Sequence, residues 1–158
     1  MKIKMLTNKL EYKPVQANEH AIGIDVYAVS VEYNSEHSVY VVGTGIAIQP
    51  NEGMWTEIVP RSSLYKKGFM LANSVGIIDP DYRGEVKMML VRTPAAYESD
   101  IVGTQFGARK ISVHTELLIG QRVGQLIMRP ILQSPISFVS ELTETERGAG
   151  GFGSTGER

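Results

Sequence analysis

The hydrophobic pattern of this chain is made of brief runs. Segments rich in β-branched and aromatic residues recur at 3–6, 39–42, 46–48, 54–59, 86–91, 111–114 and 123–128. Turn residues separate them: Thr44-Gly45, Pro50-Asn51, Asp79-Pro80 and Gly120. Short apolar runs bounded by Gly, Pro, Asn and Asp are strand signals, and a succession of them predicts an all-β barrel or sandwich. One short helix is predicted over 62–67, after Pro60, because serines stand at its start and suit a helix N-terminus. No internal repeat is evident.

Two segments depart from this rhythm. Residues 93–110 (TPAAYESDIVGTQFGARK) form a weakly patterned link, longer than the roughly 2–5 residues usual between hairpin strands. Residues 147–158 (RGAGGFGSTGER) are too rich in glycine to add much core and read as a terminal tail. The expected organisation is one β domain over 1–146, with an insert-like loop at 93–110, followed by the tail at 147–158. The whole length of 158 residues suits one compact domain.

Charge and composition narrow the function. Lys and Arg total 16 against 17 Asp and Glu, for a net charge of −1. A broad DNA- or RNA-binding surface needs clustered positive charge and is disfavoured. A small phosphate ligand needs only a few placed cations and stays open. The absence of cysteine excludes disulfides, zinc–thiolate sites and cysteine nucleophiles. No apolar run approaches a membrane span, and the start (MKIKMLTNKLEYK) lacks a signal-peptide core. The expectation is a soluble protein of the cytoplasm, or of a host cell's cytoplasm if viral.

Five segments carry candidate chemistry. In the tail, glycines let successive N–H groups face one anion, Arg147 adds a planar cation, Ser154 and Thr155 add hydroxyls, and Phe152 offers a flat face for a base. Pro60-Arg61-Ser62-Ser63-Leu64 could hold a polyphosphate, although a helix cap beside a solvated arginine is the plainer reading. The string 76–84 (GIIDPDYRG) leads two apolar residues into a turn with Asp79 and Asp81. Asp79 is a candidate general base, with a turn-capping Asp as the plainer alternative, and Asp81 is expected to brace the turn or pair with Arg83. Asp25 and Gln125 each sit inside an apolar, strand-like run, where a structural carboxylate and an amide at a strand edge are the plain readings.

Taken in order, these strings resemble the five motifs of the trimeric dUTP pyrophosphatase (dUTPase) family. The resemblance runs from Ala21 to Gly156, and its longest parts are PRSSL, GIIDPDYRGEV and RGAGGFGSTG. It implies a distorted β jelly roll with one short helix, assembled as a homotrimer whose sites draw on all three subunits. It implies hydrolysis of dUTP to dUMP and pyrophosphate with Mg²⁺ as cofactor. By the same resemblance Asp79 activates the attacking water, and Asp25 supports the metal through water. Arg61, Ser62, Ser63 and Gln125 hold phosphates. Asn73, Gly76, Ile77 and Ile78 belong to the uracil-reading hairpin, Tyr82 packs under the deoxyribose, and Lys87 falls in the same substrate-contacting segment. Arg147, Gly153 and Ser154 clamp the γ-phosphate, and Phe152 covers the base.

Departures from the family pattern are few. Pro80 stands where a small residue is common, Gly124 where alanine is usual, and Gln121 where an acidic residue is usual. The 93–110 segment exceeds the family's short connection and leaves room for a protein partner. Two rivals follow: a dCTP deaminase of the same fold, and a binding or signalling protein acting through 93–110. The deaminase needs a glutamate pattern beside the hairpin that this sequence lacks.

Overall fold

A computed structural model of the chain describes residues 1–93 and 118–150. Eleven strands run through them in the order β1 Lys2–Met5, β2 Val15–Gln16, β3 Ile24–Tyr27, β4 Ser30–Asn34, β5 Val39–Gly43 and β6 Ile46–Gln49, then β7 Met54–Pro60, β8 Phe69–Leu71, β9 Gly76–Ile78, β10 Lys87–Arg92 and β11 Arg122–Pro130. The all-β, jelly-roll expectation holds. Sheets are ordered β1-β6, β4-β5-β10-β8 and β2-β3-β11-β7-β9, and all the strand pairs within them are antiparallel. The strand expected at 111–114, and all of 93–110 after Thr93, lie outside the described residues.

Alternation along the strands puts apolar side chains between the sheets. Met88 and Leu90 on β10, Val42 on β5, Val26 on β3, Ile58 on β7 and Leu126 on β11 are buried together. Ladder partners share a face, and successive residues in a strand point to opposite faces. Ile58, Leu126 and Gly76 are partners across three strands and face the core. Asp25, Gln125 and Val59 are partners across the neighbouring positions and face the other way.

The expected helix over 62–67 is corrected. It is a 3-10 turn, Leu64–Lys67, and Ser63 before it makes no side-chain capping bond. Ser63 already has helical backbone angles (φ −90°, ψ −4°) rather than the extended angles from which a cap reaches forward. Gly68 at φ 75° then takes the left-handed turn that ends the element.

Gly124 fits a space already filled. A Cβ there would lie 2.6 Å from Met88 Sδ and 3.1 Å from Val59 O. Methionine on β10 and glycine on β11 thus form one packing solution. Gly124→Ala should destabilise the fold by about 1–3 kcal/mol in urea unfolding. In a Met88→Ala background most of that penalty should vanish, as a double-mutant cycle would read. An undiminished penalty would show that the Val59 carbonyl sets the limit.

Candidate active site

The first group of site residues gathers on Asp25. Its side chain is on β3, 2% exposed. Oδ1 accepts from Gln125 Nε2 at 2.9 Å and faces Arg61 Nε at 3.2 Å, and Oδ2 accepts from Arg122 Nη1 at 2.9 Å. A buried carboxylate is tolerated only when paired in this way. Gln125 sits opposite Asp25 in the β3–β11 ladder, and Arg61 is fixed where its N–H donates to Val123 O at 3.1 Å. Gly23 completes the arrangement, because a Cβ there would stand 3.0 Å from Gln125 Cδ and Nε2. The amide can therefore lie flat toward Asp25.

The second group lines a cavity of about 320 Å³ whose walls include Ile58, Asn73, Gly76, Ile77, Ile78, Asp79, Tyr82, Glu85 and Lys87. The loop before β9 is tightly wound. Val75 N–H donates to Asn73 O at 2.6 Å, and Ser74 adopts φ 61°, unusual for a residue with a side chain. Gly76 admits Ile58, whose Cγ2 would lie 2.6 Å from any Cβ at that position. Strand β9 ends its sheet, so one edge of Gly76–Ile78 has no strand beside it among the described residues. Its backbone N–H and C=O groups are open to a planar ligand with matching donors and acceptors.

Tyr82 is held in place at both ends. Its hydroxyl donates to Glu85 O at 3.0 Å, and its ring lies so close to Gly84 that a Cβ there would push the ring aside. Glu85 in turn accepts from Gly45 N–H at 2.8 Å and stands 3.7 Å from Lys87 Nζ. The turn pairing expected of Asp81 is not seen: among the described residues no ion pair joins it to Arg83. Arg83 Nη1 donates instead to the carbonyls of Pro80 and Tyr82, at 2.7 and 2.8 Å. It can therefore brace the turn without a carboxylate.

The structure thus brings together Asp25, Arg61 and Gln125, and separately Asn73, Gly76, Ile77, Ile78, Asp79, Tyr82 and Lys87. It does not join the two groups. The cavity is floored by the core-facing Ile58 and Ile78, whereas Asp25 and Gln125 project from the opposite face of the same sheet. Ser62 and Ser63 follow Arg61 in the turn after β7. Arg147 is exposed, its Nε donating to Gly150 O at 2.9 Å, and Phe152, Gly153 and Ser154 lie outside the described residues. Sequence reading passed over Arg122, Gly23, Gly84 and Glu85. A cation three positions before Gln125 was the one available signal for Arg122. The others matter through what packs against them.

Among the described residues no helix is long and apolar enough to cross a membrane. The sequence model of the dUTPase family matches residues 12–156. The deoxyuridine 5'-triphosphate nucleotidohydrolase of Nautilia profundicola is 35% identical over 159 residues, covering 99% of each chain. That of Rickettsia prowazekii is 37% identical, covering 99% of this chain and 96% of the other. Among solved structures, a dUTPase of Staphylococcus bacteriophage 80alpha with dUpNHpp superposes with a TM-score of 0.71 at 22% identity, covering 99% of this chain and 98% of that one. The Streptococcus mutans dUTPase gives 0.63 at 23% identity, covering 85% and 99%. The two structures speak for the fold alone. With a family match over residues 12–156 and relatives 35% and 37% identical across nearly their full length, the chain belongs to the dUTPase family.

Proposed function

We propose that this chain is a dUTP diphosphatase that works as a homotrimer, with Asp79 activating the water that attacks the α-phosphorus of dUTP. The observation that supports this most is the division of the motif residues between two faces of one sheet. One face carries cations and an amide suited to phosphates, and the other a cavity suited to a nucleoside. Among the described residues neither half completes a site within one chain, whereas two copies can bring the cavity of one against the cations of another. The segment after β11 argues for association too. Leu132, Ile136, Phe138 and Leu142 are each more than 80% exposed there, an apolar display that a neighbouring copy would cover.

In this reading the free edge of Gly76–Ile78 reads uracil through its backbone, with Asn73 at the hairpin. Tyr82 packs under the deoxyribose and excludes a 2′-hydroxyl, and Lys87 stands at the cavity wall. Arg61, Ser62, Ser63 and Gln125 align the triphosphate. Asp79 takes a proton from water as its oxygen bonds to the α-phosphorus, and pyrophosphate departs in line. Arg147 with Gly153 and Ser154 clamps the γ-phosphate, and Phe152 stacks over the base. The tail is proposed to serve a neighbour's site.

Mg²⁺ fits this donor set as a cation carried on the nucleotide. Among the described residues no group of three or more His, Asp or Glu could hold a metal directly. Asp25 accepts from three donors, and a carboxylate has about four lone-pair positions. Contact through one water is the share left to it. When bound, Mg²⁺ supplies charge neutralisation along the triphosphate.

Asp79→Asn keeps the shape of the base and removes its basicity. Pyrophosphate release from dUTP should fall on the order of 10²–10⁴-fold with nucleotide binding largely kept. Near-normal turnover would refute the role given to Asp79. A second prediction concerns the sugar: kcat/KM should be far lower for UTP than for dUTP, and Gly84→Ala, which forces the Tyr82 ring aside, should narrow the difference. Equal values for the two nucleotides in the unmodified enzyme would remove the case for Tyr82.

A further inference from the structure

Where β5 turns into β6, Thr44, Gly45 and Ile46 grip the two residues that lead into β10. Thr44 Oγ1 and Thr44 N–H both donate to Val86 O, at 2.6 and 3.3 Å, and Val86 N–H donates to Ile46 O at 2.9 Å. Glu85 adds a side-chain tether: its Oε1 accepts from Gly45 N–H at 2.8 Å. Two glycines leave a seat for this carboxylate. A Cβ on Gly43 would stand 2.7 Å from Glu85 Oε1. Gly45 takes a left-handed φ of 66°, and Thr7 and Val29 would lie 2.9 Å from any Cβ there. The seated side chain is half-buried.

This seat bears on Tyr82. The Tyr82 hydroxyl donates to Glu85 O at 3.0 Å, and Tyr82 N–H donates to Asp79 O at 3.1 Å. The carbonyl that receives the hydroxyl belongs to the peptide joining Glu85 to Val86. Ile46 holds that peptide from the Val86 side, and Gly45, through the Glu85 carboxylate, from the Glu85 side. Tyr82 is 46% exposed, so water competes for its hydroxyl. An acceptor already fixed in place lowers the entropy lost in making the bond. The other neighbour of the carboxylate is Lys87 Nζ, 3.7 Å from Oε2. Both groups of that pair reach solvent, so it contributes little.

We propose that Glu85 is a positioning residue of this site: seated on Gly45, it holds Tyr82 against the sugar and sets how strongly a 2′-hydroxyl is refused. The proposal rests on the reading of Tyr82 as the wall under the deoxyribose.

Steady-state kcat/KM of the full chain with Mg²⁺, for dUTP and for UTP, tests this alongside urea unfolding of each variant. Glu85→Ala should lower the preference for dUTP over UTP about 10-fold. Glu85→Gln keeps an oxygen that accepts from Gly45 N–H, and should restore most of the loss. Thr44→Val removes a buried hydrogen bond on the Val86 side; it should cost stability and leave the preference within about twofold. If Glu85→Ala does not fold, Glu85→Met, which keeps the stem without the oxygens, takes its place. An unchanged preference in the Ala variant would overturn the proposal. So would a Gln variant as impaired as the Ala one, which would trace the effect to the charge facing Lys87, or an equal fall in Thr44→Val, which would trace it to stability. An unmodified chain that hydrolyses dUTP and UTP alike would instead overturn the reading of Tyr82, and the role of Glu85 with it.

Discussion

A carboxylate sealed inside the sheet dictates how the phosphate half of the site is built. Asp25 is 2% exposed, and leaving one ion of that kind unpaired costs several kcal/mol in a protein interior. It is matched by donors from two other segments: Arg61 after β7, and Arg122 and Gln125 on β11. β11 is laddered to β3 on one side and to β7 on the other in the five-stranded sheet. The cations are therefore set before any ligand arrives, and binding need not order them, as electrostatic preorganisation requires.

The same ladders impose a second constraint. A strand has a period of two, so a residue and its neighbour cannot serve the same face. Val59 shares the side of Asp25 and Gln125, while Ile58 turns inward and floors the cavity beside Asp79. On the Asp25 side the sheet also carries Glu57, held by Arg129 Nε and Nη2 at 3.1 and 2.8 Å, and its ladder partner Ile77, a wall residue of the cavity that reaches round to this side and is 71% exposed. A face with an apolar residue in the open and its charges already paired is suited to meeting another protein surface. An open face of this kind suits the association of copies proposed above.

The sequence made some of this readable and hid the rest for physical reasons. The longer strands, β5, β7, β10 and β11, showed as apolar runs because burial selects apolar residues over several positions. β4 (SVEYN) and β8 (FML) are too short or too mixed to show a period. The turn at Leu64–Lys67 was seen as a helix because 3-10 and α starts share the same serines. The motif strings could be read because the roles proposed for them lie in residue identity: a carboxylate at Asp79, a cation at Arg61, an amide at Gln125. Gly23 and Gly84 stayed silent, since each is defined by the neighbour that occupies its missing side chain, Gln125 and Tyr82; Gly124 showed only as a departure from alanine, without the Met88 contact that accounts for it.

The central claim is that the phosphate half and the nucleoside half of a working site come from different copies of the chain. Complementation measures it directly. One chain carries Asp79→Asn and the other Arg61→Gln, and each alone should be nearly inactive on dUTP. Refolded together into verified mixed oligomers, they should recover roughly a quarter of the unmodified rate, the share of sites in which random mixing unites two intact halves. Mixed oligomers with no recovery would place both halves in one chain and contradict the account.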